Sequence, residues 1–486
     1  MIKFDGKIVQ FGFGAVGKSF FEKVCEEIKF NENAYFIITK NANEFEAFIN
    51  LGGMAANFIV CEITKNNFRA VLGKYLNSGD LFLDFADIVG TKDICEWCAE
   101  KNIMYLNTGD ADWPENWLNI FEQNISLNAI KEKYHSACPI VLQHGNNPGL
   151  VSHFVKSGIE YIINTQYKKD RQLKNLIMQN KFNEAAHILD IKIIHVNDID
   201  LQKINSSNSY YNNSLINTWC IDSFLYEMIT EAAFNAGVHE NINYKDECRF
   251  IDLTQGFIEF KKISAEKKCR TYYPDGAFDG FLVPHDETVS IAKSLEIRKD
   301  GKAIYRPSVM FLYSPCHSAA EYLSKAKVNE YPGPDPAKPP DCENENGQTI
   351  IRGYMYPKHA EIVYKEKIIS GTEYVGALIM GENFEPVWVG NRVKSTFLYK
   401  NKKNSYWQTP TVTPVAMSAL AAVCWMLKNK DSGGVYFPDD IPDYKYILKI
   451  AEKYISKTIY KTFDKQALKD SLKIDFSNLQ AKDFFI

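Results

Sequence analysis

The chain has 486 residues, 45% of them hydrophobic, and a formal net charge of -4. That is length enough for two or three domains with full cores, and the charge supplies no basic field for nucleic acid. Its 11 scattered cysteines point to reduced thiols in the cytoplasm rather than a disulfide framework, and no run of about 18 apolar residues offers a membrane span.

The start, Met1 to Gly6, runs straight into an apolar strand at 7–11 and reads as carrying no secretory leader. The strand leads to Gly12-Phe13-Gly14-Ala15-Val16-Gly17-Lys18-Ser19. Read as G-x-G-x-x-G, this is a dinucleotide-binding turn; read as G-x-x-x-x-G-K-S, it is a nucleotide-triphosphate P-loop. A helix from Phe20 to Ile28 and a second strand, Tyr35 to Thr39, follow at once. Strand, turn, helix and strand close within about 30 residues, which favours the dinucleotide. The acid expected about 20 residues on, to hold the ribose hydroxyls, is absent; Thr39, Lys40 and Asn41 stand there. The P-loop reading draws support from Leu81-Phe82-Leu83-Asp84, a strand ending in an acid suited to Mg²⁺.

Further strands are predicted at 57–61, 81–85, 103–107 and 139–143, with helices between. Residues 1–145 therefore read as an α/β domain with a Rossmann-type doubly wound sheet. Ligands in such folds lie beyond the carboxyl ends of the strands. Asp84 and Asp87, and then Asn107, Thr108 and Gly109, occupy two of those ends; turn chemistry explains these residue types equally well.

After Asn146-Asn147-Pro148-Gly149 the pattern changes. Asn147 and Pro148 read as the cap and first residue of a helix reaching Ile163, and 165–190 as charged helices. Strand-like runs then predict a second α+β domain over 146–408, with a mixed or antiparallel sheet. A proline-rich loop lies at Glu330 to Gln348, and the helices of 409–486 pack back onto the first domain. Three clusters stand out. Trp219 leads a helix carrying Glu227 and Glu231 on one face, which is either a cation-binding face or a solvated one. His285 and Glu287, after the strand ending at Val283, suit acid–base chemistry or a buried, satisfied histidine. Asp198 and Asp200 follow Val196, with turn chemistry as the alternative. Tyr210, Tyr211, Tyr272, Tyr273, Phe278 and Phe281 add aromatic surface. Acids with aromatics suit an organic cation, and no arginine cluster for a carboxylate substrate is evident in these segments.

The glycine turn, His144-Gly145-Asn146-Asn147-Pro148-Gly149, Asn217-Thr218-Trp219 with Glu227, Pro284-His285-Asp286-Glu287, Tyr305-Arg306-Pro307 and Gly390-Asn391-Arg392 occur in the order seen in bacterial homospermidine synthases. The chain resembles that family, part of the saccharopine-dehydrogenase-like group, over nearly its whole length. The resemblance implies a cytoplasmic homodimeric transferase of polyamine biosynthesis. It would act on putrescine and spermidine, recycle NAD, use no metal-ligand residues, with any monovalent-cation requirement left open, and bind neither nucleic acid nor membrane. It implies catalytic roles for Asn147, Glu227, His285 and Glu287, and substrate contacts for Asp198, Trp219 and Glu373. Asp198 stands where a longer Glu is usual. It implies cofactor contacts for Gly12, Phe13, Gly14, Ala15, Val16, Thr39, Asp84, Asn107, Thr108 and Gly109. A saccharopine- or carboxynorspermidine-type dehydrogenase is the nearest alternative; a P-loop NTPase and a non-catalytic NAD sensor are more distant ones.

Overall fold

The computed structural model describes the chain except residues 87–88, 114–119, 135, 206–213, 328–340, 344–348, 352–353 and 401–404. Asp87, Tyr210, Tyr211 and most of the proline-rich stretch lie outside the described residues.

The first sheet follows from six short apolar runs. Strands β1 (Ile8–Phe11), β2 (Tyr35–Thr39), β3 (Phe58–Val60), β4 (Leu81–Asp84), β5 (Met104–Asn107) and β6 (Pro139–Val141) are joined by a seventh, Gly434–Tyr436. All are parallel, in the order 434–436, β6, β5, β4, β1, β2, β3. The order reverses beside β1, which makes the crevice between β1 and β4 the ligand position of a doubly wound sheet. Every residue of β1 is buried, as a central parallel strand requires. Its one polar residue, Gln10, is satisfied: Nε2 donates to the Gly12 carbonyl at 2.9 Å and Oε1 accepts from Tyr35 Oη at 2.6 Å. Helix α1 (Ala15–Glu27) starts directly after the glycine turn.

The second sheet has ten strands. Its centre is β7 (Ile191–Asp200), flanked by the parallel β8 (Ser308–Ser314) and the antiparallel β9 (Thr372–Gly381). The sheet is mixed, as expected. Helix α2 (Leu150–Gln166) packs on β9, and α5 (Val412–Lys428) packs on α1. From Ile459 the chain adds an edge strand to the second sheet, and Phe463, Leu468, Phe476 and Phe484 complete its core. Between them, α3 (Ile221–Ile229) and α4 (Asp286–Ser294) carry site residues. Helices Arg171–Met178 and Phe182–Leu189 fill the stretch expected to be helical. No helix of the described residues is long and apolar enough to cross a membrane.

Three local expectations change. The helix after Pro148 begins at Leu150 and is capped by Gly149 at φ 129°, so Asn147 is not its N-cap and its side chain is free for other work. Helix α3 ends at Ile229; Thr230 is extended and Glu231 opens a strand, where it pairs with Arg249. Glu231 therefore shares no helix face with Glu227. Tyr272, Tyr273 and Phe278 pack with Phe463 and Tyr374 on a hairpin, while the rings at the acid cluster are Trp219, Phe224, Tyr313 and Phe311.

Candidate active site

Register builds the site floor. In the β7–β9 pairing Asp200 lies opposite Glu373, and in the β7–β8 pairing Asp198 lies opposite Tyr313. Residues two apart on a strand share a face, so Asp198, Asp200, Glu373 and Tyr313 point to one side of the sheet. Asp200 is fully engaged, accepting from Thr218 Oγ1 at 2.6 Å and from the Gln202 backbone and side chain. Asp198 Oδ2 accepts from Asn147 Nδ2 at 2.7 Å. Trp219, in the turn before α3, donates from Nε1 to Tyr313 Oη at 2.8 Å and lies edge-on to that ring.

Above this floor stand His285 and two glutamates. His285 is the N-cap of α4 in extended conformation, so Glu287 comes round the first turn to meet it. The expected pair forms, by a helix start rather than an extended strand: Glu287 Oε2 bonds His285 Nδ1. Glu227, from α3, places Oε1 3.9 Å from His285 Nε2, and His285 stacks on Phe311 with centroids 4.1 Å apart.

The charges are poorly compensated. Among the described residues, Oδ1 of Asp198, Oε1 of Glu287 and Oε2 of Glu373 are buried without a hydrogen-bond partner. Burial pushes Asp198 up to about 7, with Asn147 pulling down and Asp200 pushing further. Burial also raises Glu227 to about 8, partly offset by His285. Glu373 is raised by burial, then by Asp198 and Asp200. Burial works against the His285 imidazolium, but the charge and hydrogen bond of Glu287, then Glu227, outweigh it and hold His285 at about 9. Among the described residues, the charges acting on these groups are acids and His285.

The cluster abuts the carboxyl end of β5. Asp286, beside His285, accepts the backbone N–H of Asp110, and burial followed by Asp110 raises its carboxyl. Asp110 accepts from Gln143 Nε2 and is itself raised by burial to about 7. This carboxyl pair was not foreseen: Asp110 and Asp286 are 176 positions apart in sequence. The pattern that signals Asp286 is its place inside the His285–Glu287 motif. Asp200 was named with Asp198 as an acid after a strand, turn chemistry being the alternative; the strand runs through both.

The glycine turn fits a dinucleotide pyrophosphate. Gly12 has φ 85°, and a Cβ there would lie 2.9 Å from the Phe85 carbonyl. At Gly17 a Cβ would meet the Gly12 oxygen at 2.5 Å, whereas at Gly14 it would meet nothing within 4 Å. The first glycine makes the turn, the third lets helix and strand pack, and the second leaves space over the backbone, the division of roles a dinucleotide turn needs. Ala15 and Val16 open α1. The Phe13 ring is core, edge-on to Phe21 and Phe48, so only its backbone faces the turn. Asp84 accepts from Ala86 N and Tyr105 Oη. Asn107 braces the next loop, donating to Gly109 O at 2.7 Å and accepting from Gln143 N at 2.7 Å. Next to it, the carbonyl of Thr108 would lie 3.0 Å from a Cβ at Gly145, so this loop abuts the His144–Gly149 turn; a Cβ at Gly109 would meet nothing within 4 Å. Thr39 Oγ1 donates to Glu44 Oε2 at 2.9 Å. The P-loop alternative fails on orientation: Ser19 is buried with Oγ donating to Gln408 Oε1 at 2.9 Å, and Lys18 turns toward Glu44.

The saccharopine dehydrogenase NADP binding domain family matches residues 8–139. Homospermidine synthase of Mesorhizobium japonicum is 24% identical over 467 residues, covering 93% of this chain and 89% of that protein. That of Blastochloris viridis is 24% identical over 473 residues, 94% and 91% of the two chains. The crystal structure of homospermidine synthase from Legionella pneumophila in complex with NAD superposes with a TM-score of 0.83 at 24% identity, over 100% of this chain and 98% of that one. Yeast saccharopine dehydrogenase (L-Glu forming) follows with a TM-score of 0.56 at 10% identity, over 94% of this chain and 100% of that one. By sequence along nine-tenths of its length the chain is similar to homospermidine synthases, it shares their fold along all of it, and its first domain matches the saccharopine dehydrogenase NADP binding domain family.

Proposed function

We propose that the chain is a homospermidine synthase. It moves the aminobutyl group of one putrescine onto the amine of a second and releases ammonia; spermidine is an alternative donor, releasing 1,3-diaminopropane. NAD, when bound, would supply a two-electron acceptor and then donor at the donor's amine-bearing carbon, leaving no net redox change. The reading rests on one observation above all: buried carboxyl oxygens of Asp198, Glu287 and Glu373 lack a hydrogen-bond partner among the described residues, in a set of interacting acids that meets the cofactor-type domain through Asp286 and Asp110. Such a cluster is costly unless cations fill it.

The backbone of Gly12, Phe13, Gly14, Ala15 and Val16 would hold the pyrophosphate, Thr39 would lie toward the ribose, and Asp84 and Asn107-Thr108-Gly109 would line the far side of the crevice. Asp198 and Glu373 bind one ammonium, with Asn147 orienting Asp198 so that Oδ1 stays available. Trp219 lends a ring face to the passing cation. Glu227 takes a proton from the amine to be oxidised, and the imidazolium of His285, held by Glu287, gives one to the departing ammonia. Burial of the cluster keeps water from the imine until reduction. Residues 1–145 form the cofactor domain with 409–458 packed back on it; 146–408 form the substrate and dimer-forming domain, joined by 459–486, which were expected on the first domain but complete the second sheet and its core; and the protein works in the cytoplasm as a homodimer.

With putrescine and sub-stoichiometric NAD, many turnovers should give homospermidine and ammonia in equal amounts. Deuterium from the oxidised carbon should be retained in the product. One NADH accumulating per product would replace this reading with a dehydrogenase. An enzyme of the saccharopine or carboxynorspermidine type would instead need cations for a carboxylated substrate, and the cluster supplies acids.

Diamine binding should also release protons. Asp198 at about 7 and Glu227 at about 8 are substantially protonated in the empty site at neutral pH. An arriving ammonium favours their charged forms and lowers both values. Titration calorimetry at pH 7 in buffers of different ionisation enthalpy should show net release to the buffer, shrinking above about pH 9; proton uptake, or none, would place the diamine elsewhere.

A further inference from the structure

We infer that Glu44 and Lys18 set the choice of dinucleotide: Glu44 takes the ribose-gripping role that Thr39 cannot fill and keeps Lys18 from a 2′-phosphate, so the protein prefers NAD to NADP. This rests on the cofactor reading above.

The carboxyl end of the second strand is where dinucleotide folds hold the ribose hydroxyls. Here β2 ends in Thr39, a neutral residue whose Oγ1 accepts from the Asn41 backbone at 3.2 Å and donates to Glu44 Oε2 at 2.9 Å. The intervening chain folds back as a short 3-10 turn, Ala42–Glu44, with the Asn41 side chain accepting from Asn43 N at 3.1 Å. The turn thus delivers a carboxylate to the strand end five residues late, beyond the reach of a search keyed to the usual spacing. Glu44 is fixed there by the Thr39 hydroxyl and is 11% exposed.

Its other oxygen faces a cation. Lys18 Nζ lies 3.8 Å from Glu44 Oε1 and sits over the rings of Phe13 and Trp407, at 5.9 and 5.7 Å from their centroids. Burial lowers the Lys18 ammonium and Glu44 partly restores it, so the carboxylate is its charged partner at this place. A carboxylate accepts hydrogen bonds from a ribose diol but repels a phosphate dianion. Remove Glu44, and among the described residues the same spot presents an ammonium set between the Phe13 and Trp407 rings, a phosphate-binding arrangement. One residue therefore does two things: it attracts the 2′-hydroxyl and neutralises the group that would otherwise welcome a 2′-phosphate.

The test is direct binding of NAD and NADP to the purified full chain, by titration calorimetry without substrate. The unmodified protein should bind NAD at least about tenfold more tightly than NADP, a charge-assisted hydrogen bond and its loss being of this size. Glu44→Gln should weaken NAD about tenfold and strengthen NADP, and adding Lys18→Ala should cancel the NADP gain. Thr39→Val, which leaves Glu44 in place but frees its side chain, should lower NAD affinity by a smaller factor; it also covers the case in which Glu44→Gln fails to fold, checked by the melting temperature of the unliganded variants. NAD bound tightly by the wild type but unchanged by Glu44→Gln and Thr39→Val would overturn the proposal while leaving the cofactor reading intact. Failure of the wild type to bind either nucleotide would remove the cofactor reading, and this proposal with it.

Discussion

Glu287→Gln should reduce kcat with putrescine by about 10²–10³-fold, the size of an acid–base contribution, while leaving the dissociation constant for NAD within about twofold. Glu287 is fully buried and one of its oxygens bonds His285 Nδ1. The amide keeps the shape but removes the charge that holds the imidazolium at about 9 against its burial. The basic limb of the pH–rate profile should therefore move to lower pH. Stability carries the same signature. A histidine raised above its unfolded value near 6.5 stabilises the fold fully below that value, and the contribution is lost as pH rises through about 9. The difference in melting temperature between wild type and variant should be largest near pH 6 and smaller at pH 9.5. An unshifted pH profile with kcat within about threefold would show that this pair moves no proton in the rate-limiting step.

Gly14→Val should abolish measurable NAD binding, a loss of at least about 100-fold, and leave the unliganded melting temperature nearly unchanged. A Cβ at Gly14 meets no protein atom within 4 Å, so the fold tolerates it; what the side chain fills is the approach to the turn backbone. Gly17→Ala is the opposite case. Its Cβ would come 2.5 Å from the Gly12 oxygen and 2.6 Å from Gln10 Nε2, so it should lower the melting temperature with or without cofactor. Lys18→Ala should leave NAD binding in place. Calorimetry and melting curves of the three variants separate these outcomes; full NAD affinity in Gly14→Val would sink the dinucleotide assignment of the turn.

The first sheet was readable because each parallel strand is a short apolar run bounded by polar turns, and its six expected strands all form. The seventh, Gly434–Tyr436, pairs with β6 from almost 300 residues away, and no local pattern announces such a pairing. The resemblance named seven substrate and catalytic residues. The fold brings Asp198 to Asn147 and His285 to both glutamates, sets Trp219 against Tyr313, and places Glu373 opposite Asp200. Local rules erred where two elements meet. The cap rule chose Asn147 because an Asn before Pro fits it, but Gly149 accepts the unusual φ and the helix starts later. Helical periodicity carried Glu231 past the end of α3, where Ile229 and Thr230, both β-branched, lead into a strand.

The pairing of β7 with β9 has an evolutionary corollary. Asp198, Asp200 and Glu373 owe their common face to hydrogen-bonded register in the interior of a ten-stranded sheet, and a slip of one residue would turn the strand's side chains to the opposite face. The chain length between Lys327 and Tyr354 is not part of that constraint, because Glu373 is located by its partner strand and not by its distance along the chain from Asp198. Descendants of this protein can lengthen, shorten or rewrite that stretch and keep the acids where they are. Sequence alignment loses Glu373 across such a stretch, while the ladder beside Asp200 keeps it.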